Sequence, residues 1–102
     1  MQNRPELQTV LENILGSRNV YFQPPPNIQL KYPAIVYSRK TLHPIFANNK
    51  VYITTPEYEV TVIDKNPDSE YVAGVSQLPG CVHERHFKVD NLNHDVFRLH
   101  HK

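Results

Sequence analysis

A chain of 102 residues, 39% of them hydrophobic, suits one domain and leaves no room for two independent cores. Lys plus Arg (11) nearly balance Asp plus Glu (10), so the overall charge gives no reason to bind a polyanion, and nucleic acid is not the default partner. The single cysteine, Cys81, excludes an intrachain disulfide, the N-terminal MQNRPELQ lacks the apolar core of a signal peptide, and no run approaches the roughly 20 apolar residues of a membrane span. A soluble protein folded in a cytoplasm, with no membrane partner, is the expectation.

In chain order, Pro5 opens an amphipathic helix with Leu7, Val10, Leu11, Ile14 and Leu15 on one side and Gly16 placed to end it. After a polar turn at 17–19, Val20-Tyr21-Phe22 predicts a short strand that must stop before Pro24-Pro25-Pro26, because three prolines remove three backbone donors. Residues 31–39 predict a second strand around Ala34-Ile35-Val36-Tyr37, with Pro33 at its beginning. From 40 to 55 the apolar residues Leu42, Ile45, Phe46, Val51, Tyr52 and Ile53 are interrupted by Pro44 and Asn48-Asn49, which reads as an excursion with a short strand near 51–54.

The stretch 58–80 is the unit around which the rest must pack. Tyr58, Val60 and Val62 alternate with Glu59, Thr61 and Ile63 as in a central strand. The polar turn Asp-Lys-Asn-Pro-Asp-Ser-Glu then predicts a helix capped by Asn66, with Pro67 in its first position and Asp68 and Glu70 in its first turn, where carboxylates complement the helix dipole. Tyr71, Val72, Val75 and Leu78 recur at helical spacing, and Pro79-Gly80 ends the segment. A strand over 81–89, turn chemistry at 90–93 and a strand over 94–100 predict a C-terminal hairpin. The sum is an α+β domain over 1–102: an N-terminal helix, a mainly antiparallel four- to five-stranded sheet, a second helix after the central strand, and the hairpin.

Several chemical readings compete with helix capping and packing. His83 and His86 form His-x-x-His, with His94, His100 and His101 following, which suggests a metal-dependent enzyme; on a strand, however, residues three apart face opposite sides and do not converge on one ion. Cys81 or Ser69 lies in no nucleophile motif, and Asp64, Asp68 and Glu70 lack the glycine and later glutamate of a calcium loop. With only Gly16, Gly74 and Gly80 in the chain, no phosphate-cradling loop exists, although Arg39, Lys40, Lys50, Arg85 and Lys88 could gather into a patch for a nucleic-acid adaptor. The expectation is no catalytic residue, no metal and no cofactor, in a proline-rich, nearly neutral domain suited to assembly.

The blocks Lys31-Tyr32-Pro33-Ala34-Ile35-Val36-Tyr37, YEVTVIDKNPDSE from Tyr58 and DNLNHDVF from Asp90 together resemble small neck and tail-completion proteins of long-tailed bacteriophages, particularly the tail terminator group. The resemblance covers residues 5–100 in order, and its matching positions are Tyr32, Pro33, Asp64, Asp68, Ser69, Asn91, Asn93 and His94, with structural roles. It implies a non-enzymatic virion subunit, assembled in the host cytoplasm, that forms a homo-oligomeric ring, commonly a hexamer. Such a ring meets the tail tube protein on one face and the head connector on the other, and DNA passes at most through its lumen. The chain is shorter than many terminators and lacks an evident long C-terminal helix, which leaves a head-completion or adaptor position in the same neck as the alternative. Subunit contacts are expected at Phe22, Pro24, Pro25 and Pro26 and, within the 40–55 excursion, at Ile45, Phe46, Val51 and Tyr52, where apolar residues lie in segments that cannot complete a regular core.

Overall fold

The computed structural model describes residues 4–47 and 50–100, with side chains over 6–40 and 57–100. Helix α1 (Arg4–Leu15) forms as its apolar spacing predicts: Leu7, Leu11 and Leu15 are buried, and Gly16, at φ 75°, returns its N–H to the Glu12 carbonyl at 2.8 Å. A left-handed residue just beyond the last turn satisfies a carbonyl that the helix itself cannot.

Five strands form one sheet in the order β1-β2-β3-β5-β4, where β1 is Val20–Phe22, β2 Ala34–Ala47, β3 Lys50–Asp64, β4 Cys81–Val89 and β5 Leu92–His100. Only β1 and β2 run parallel; the other neighbours are antiparallel. The strand predicted to be central is central, third of five, and α2 (Glu70–Ser76) follows it.

Register explains the core. Ile35, Val62 and Val20 lie side by side on one face, as do Tyr37, Val60 and Phe97, then Tyr58 and Leu99. All are buried, and Leu7, Leu11 and Leu15 of α1 and Val75 of α2 join them in one cluster. Both helices therefore cover the same face. Gly74 permits the helices to touch, since a β-carbon there would lie 2.8 Å from Ile14 Cγ2. The buried Tyr37 hydroxyl donates to Gln8 Oε1, and Gln8 Nε2 donates to the Val20 carbonyl at 3.0 Å. The polar tip of the largest core residue is thus satisfied, and the same relay ties α1 to β1 and β2.

Two sequence expectations give way here. The 40–55 excursion is not a loop with a short strand: β2 continues to Ala47, and β3 begins at Lys50 rather than 58, so the two form one long hairpin. Among the described residues β3 pairs with β5 from Glu57 to Asp64, leaving 42–47 and 50–56 as a two-stranded arm about 20 Å long beyond the sheet. The arm explains principal extents of 50 × 24 × 23 Å and a Cα radius of gyration of 14.6 Å, against about 13 Å for a compact chain of this length.

The second correction concerns the start of α2. Asn66 does not cap the helix, and Pro67 and Asp68 lie outside it. The cap is Ser69, whose Oγ accepts the Tyr71 N–H at 3.3 Å. Ahead of it, Asp64 Oδ1 accepts the Asn66 N–H at 3.1 Å and Asn66 Oδ1 accepts the Asp68 N–H at 2.9 Å, two successive side-chain-stabilised turns. The sequence offers three capping residue types within four positions, and the one that the buried Val75 face brings into phase with the core becomes the cap.

Candidate assembly surface

The face of the sheet opposite the helices carries no helix among the described residues. Ala34, Ile63 and Val96 are buried along its middle, outside the main core cluster. On β4, the same face presents Val82, Phe87 and Val89, three of the five large hydrophobic residues that the described surface exposes. Phe87 stacks on His94 with centroids 4.7 Å apart, and the Arg85 guanidinium lies 5.8 Å from the Phe87 ring centre. The strand is exposed along almost its whole length, as the last strand of the sheet.

Charged groups hold the root of the arm. Glu57, 4% exposed, is the last β3 residue opposite β5, where its partner is His100. Its carboxylate accepts from His100 Nε2 at 3.2 Å and lies 3.8 Å from Arg98 Nε. A buried carboxylate is tolerable only with such partners, so the point where the arm leaves the body is chemically defined. Lys40 and Glu84 occupy two of the three places where register shifts, in β2 and in β4, and their side chains meet at 3.9 Å across β3 and β5; the third shift lies in the arm, where Ile45 pairs with Ile53 and Phe46 with Val51.

The bulge at Glu84 overturns the strand-period argument about histidines. His83 lies opposite Phe97 and His86 opposite Asp95, so the extra residue brings both imidazoles to the helix-covered face. They bind separate partners: His83 Nε2 lies 3.1 Å from Asp95 Oδ1, and His86 Nε2 lies 3.1 Å from Asn93 Oδ1. Among the described residues no three His, Cys, Asp or Glu side chains converge as metal ligands do. Cys81, His83 and Asp95 share this face, an order suggestive of a thiol catalyst, but burial pushes the Cys81 thiol up to about 11. A nucleophilic cysteine needs the opposite shift, so this trio does not supply a thiolate near neutral pH.

The residues of the three sequence blocks lie in a strand entry, an acidic turn and the C-terminal hairpin. Tyr32 and Pro33 lead into β2, and Pro33 borders an open cleft of about 480 Å³ with Asp64, Asn66, Asp68, Glu70 and Tyr71. Asn93 is not a turn residue: it is buried in β5, where its Nδ2 donates to the carbonyls of Lys65 at 3.2 Å and Asp64 at 3.4 Å, clamping the acidic turn to the sheet. The hairpin turn is Asp90-Asn91 alone, with φ of 53° and 63°. Both values are left-handed, which Asp and Asn tolerate and a two-residue hairpin requires. His94 bonds the Leu92 carbonyl through Nδ1 at 3.1 Å.

The residues expected at subunit contacts divide. Phe22 spends part of its surface on the core, with its ring 5.0 Å from that of Tyr37, and Pro24 is half-buried, whereas Pro25 and Pro26 are exposed. The backbones of Ile45, Phe46, Val51 and Tyr52 lie in the arm, and their side chains, like residue 101, fall outside the described residues. The basic residues with described side chains do not form one patch: Lys40 is paired with Glu84, and Arg85 and Lys88 point to opposite faces of β4, while the Lys50 side chain falls outside the described residues. A signal for the arm is present in the sequence, the Asn48-Asn49 dipeptide between two β-rich runs, a hairpin pattern that Pro44 and Pro56 obscure. No signal marks the Glu84 bulge. No helix among the described residues is long and apolar enough to cross a membrane. Comparison with protein-family models, with curated proteins and with solved structures found no match for this chain.

Proposed function

We propose that this chain is a structural virion protein of a long-tailed bacteriophage, a subunit of a homo-oligomeric ring, commonly of six copies, that caps the tail tube and joins it to the head connector. The observation that carries the proposal is the combination of an arm projecting from the body with a free nine-residue strand at the sheet edge. Backbone edges of this kind call for a partner strand, and a closed ring supplies one to every subunit. The three sequence blocks that resemble the terminator group support the same reading. Their residues build a strand entry, a capped turn and its clamp, which is what a non-catalytic role for them requires.

The test is the particle. Purified virions are expected to contain this chain, with an antibody against it marking the neck by electron microscopy. A protein that stays strictly monomeric and is absent from purified virions overturns the proposal. Labelling on the head side of the connector, rather than on the tail tube, selects the head-completion position instead.

A further inference from the structure

We infer that the outer edge of the arm, residues 50–55 of β3, adds to the free edge of β4 in a second copy, so that neighbouring subunits share one continuous sheet. The inference deepens the ring reading by naming the two surfaces that meet.

The arm cannot be explained as part of the subunit's own sheet. Among the described residues, β3 has no strand on its outer side beyond the Glu57 and His100 pair, and β2 has lost β1 after the Phe22 and Tyr37 pair. What projects is a two-stranded ribbon, and such ribbons are marginal in water unless a third strand or another surface supports them. The two edges of the ribbon differ. The β2 edge carries Pro44 in its middle, where a missing N–H obstructs strand addition. On the β3 side Pro56 lies at the root, and residues 50–55 read Lys-Val-Tyr-Ile-Thr-Thr, a proline-free run with strong strand preference after its first residue, interrupted by one register shift at Tyr52. An open, apolar, β-prone edge is a pairing site.

The receiving edge is β4. It is the outermost strand, nine residues long from Cys81 to Val89, with exposed side chains on both faces beyond Cys81 and no strand on its outer side. β1, at the other end of the sheet, has only three residues and offers little to pair with. Charge separates the possible partners of β4. Antiparallel pairing of β4 with its own copy about a twofold axis at Arg85 sets Arg85 against Arg85, a like-charge contact that destabilises a strand pair. The arm carries one charged residue between 41 and 56, Lys50, so every register that sets Lys50 opposite a residue other than Arg85 or Lys88 avoids that penalty. Because arm and β4 are different surfaces of one subunit, the contact is heterologous, and copies related by it continue into a ring or a filament.

Cysteine cross-linking tests this on the full chain. In a Cys81→Ala background, Thr54→Cys is mixed with Val82→Cys, Arg85→Cys or Lys88→Cys, each variant purified separately, and the mixture is oxidised. The expected result is a disulfide-linked heterodimer at one or more β4 positions, at least about tenfold more abundant than either homodimer. Dominant Arg85→Cys homodimers, dominant Thr54→Cys homodimers, or no arm-to-β4 product from a chain that self-associates in light scattering would each overturn the inference. A second variant replaces residues 42–55 by Asn-Gly. It is expected to keep its circular dichroism and lose self-association; retained association overturns the arm contact and leaves the ring reading standing. Arm-to-β4 cross-links in a protein absent from virions would do the reverse.

Discussion

At the scale of single residues, the acidic turn shows how a site-like pattern becomes a structural device. Asp64, Asn66 and Ser69 each spend a side-chain oxygen on a backbone N–H two residues ahead, and only Ser69 touches the helix. Ser69→Ala is therefore expected to cost about 0.5–2 kcal/mol in denaturant unfolding, the range for a lost N-cap. Asp68→Ala, outside the helix and exposed, is expected to fall within about 0.5 kcal/mol of the parent. Equal losses in the two variants would contradict the assignment of the cap. Cys81 supplies a pH signature. Its thiol is raised from 9.0 to about 11 by burial, so the folded state holds the proton more tightly than the unfolded state does. The stability that the neutral thiol contributes is present below pH 9 and is lost as pH rises through about 11. Alkylation by iodoacetamide is accordingly expected to be slow at pH 8 and to accelerate towards pH 11; rapid labelling at pH 8 would contradict a half-buried, protonated Cys81.

At the scale of elements, each helix is held by a few apolar contacts and each irregularity in a strand has a consequence. Leu11 is fully buried at the middle of the α1 stripe, and Leu11→Ala is expected to destabilise by about 2–5 kcal/mol, read as a lower denaturant midpoint with unchanged slope. The Glu84 bulge makes a less obvious prediction. Because Glu84 is the unpaired extra residue between His83 opposite Phe97 and Arg85 opposite Val96, its deletion restores a regular ladder and leaves every other cross-strand pair in place. The deletion variant is expected to fold, at the loss of the exposed Lys40 ion pair, which is worth at most about 1 kcal/mol. A fully unfolded deletion variant would show that the register has been assigned wrongly.

For the whole molecule, shape is the informative quantity. An arm beyond the sheet raises the radius of gyration without adding a core, and X-ray scattering of the monomer is expected to show an elongated particle whose long dimension approaches 50 Å. Replacing residues 42–55 by Asn-Gly is expected to bring the radius to the compact value of about 12 Å for the shortened chain with little change in melting temperature, since β3 pairs with β5 through Glu57 to Asp64 and those pairs are untouched. The same variant removes the surface on which the proposed ring depends, so compaction and loss of assembly are expected together.

Local chemistry, read from the sequence by itself, determined most of the elements. The α1 stripe, the alternation from Tyr58 to Ile63, the prolines that end β1 and the Asp-Asn turn all act through neighbours within a few positions, and each stands where its pattern predicts. Where the second helix starts, which face the histidines take and what becomes of residues 40–55 were decided by the tertiary structure. Three candidate caps lie within four residues, and the burial of Val75 selects Ser69 among them. One inserted residue at Glu84 shifts all that follows it in β4, and only pairing with β5 reveals the insertion. The arm is the largest such case: Pro44 and Pro56 resemble loop residues one at a time, but the thirteen pairs linking β2 and β3 hold them in one ribbon, because a ladder nucleated in the core can propagate through residues that would not start one.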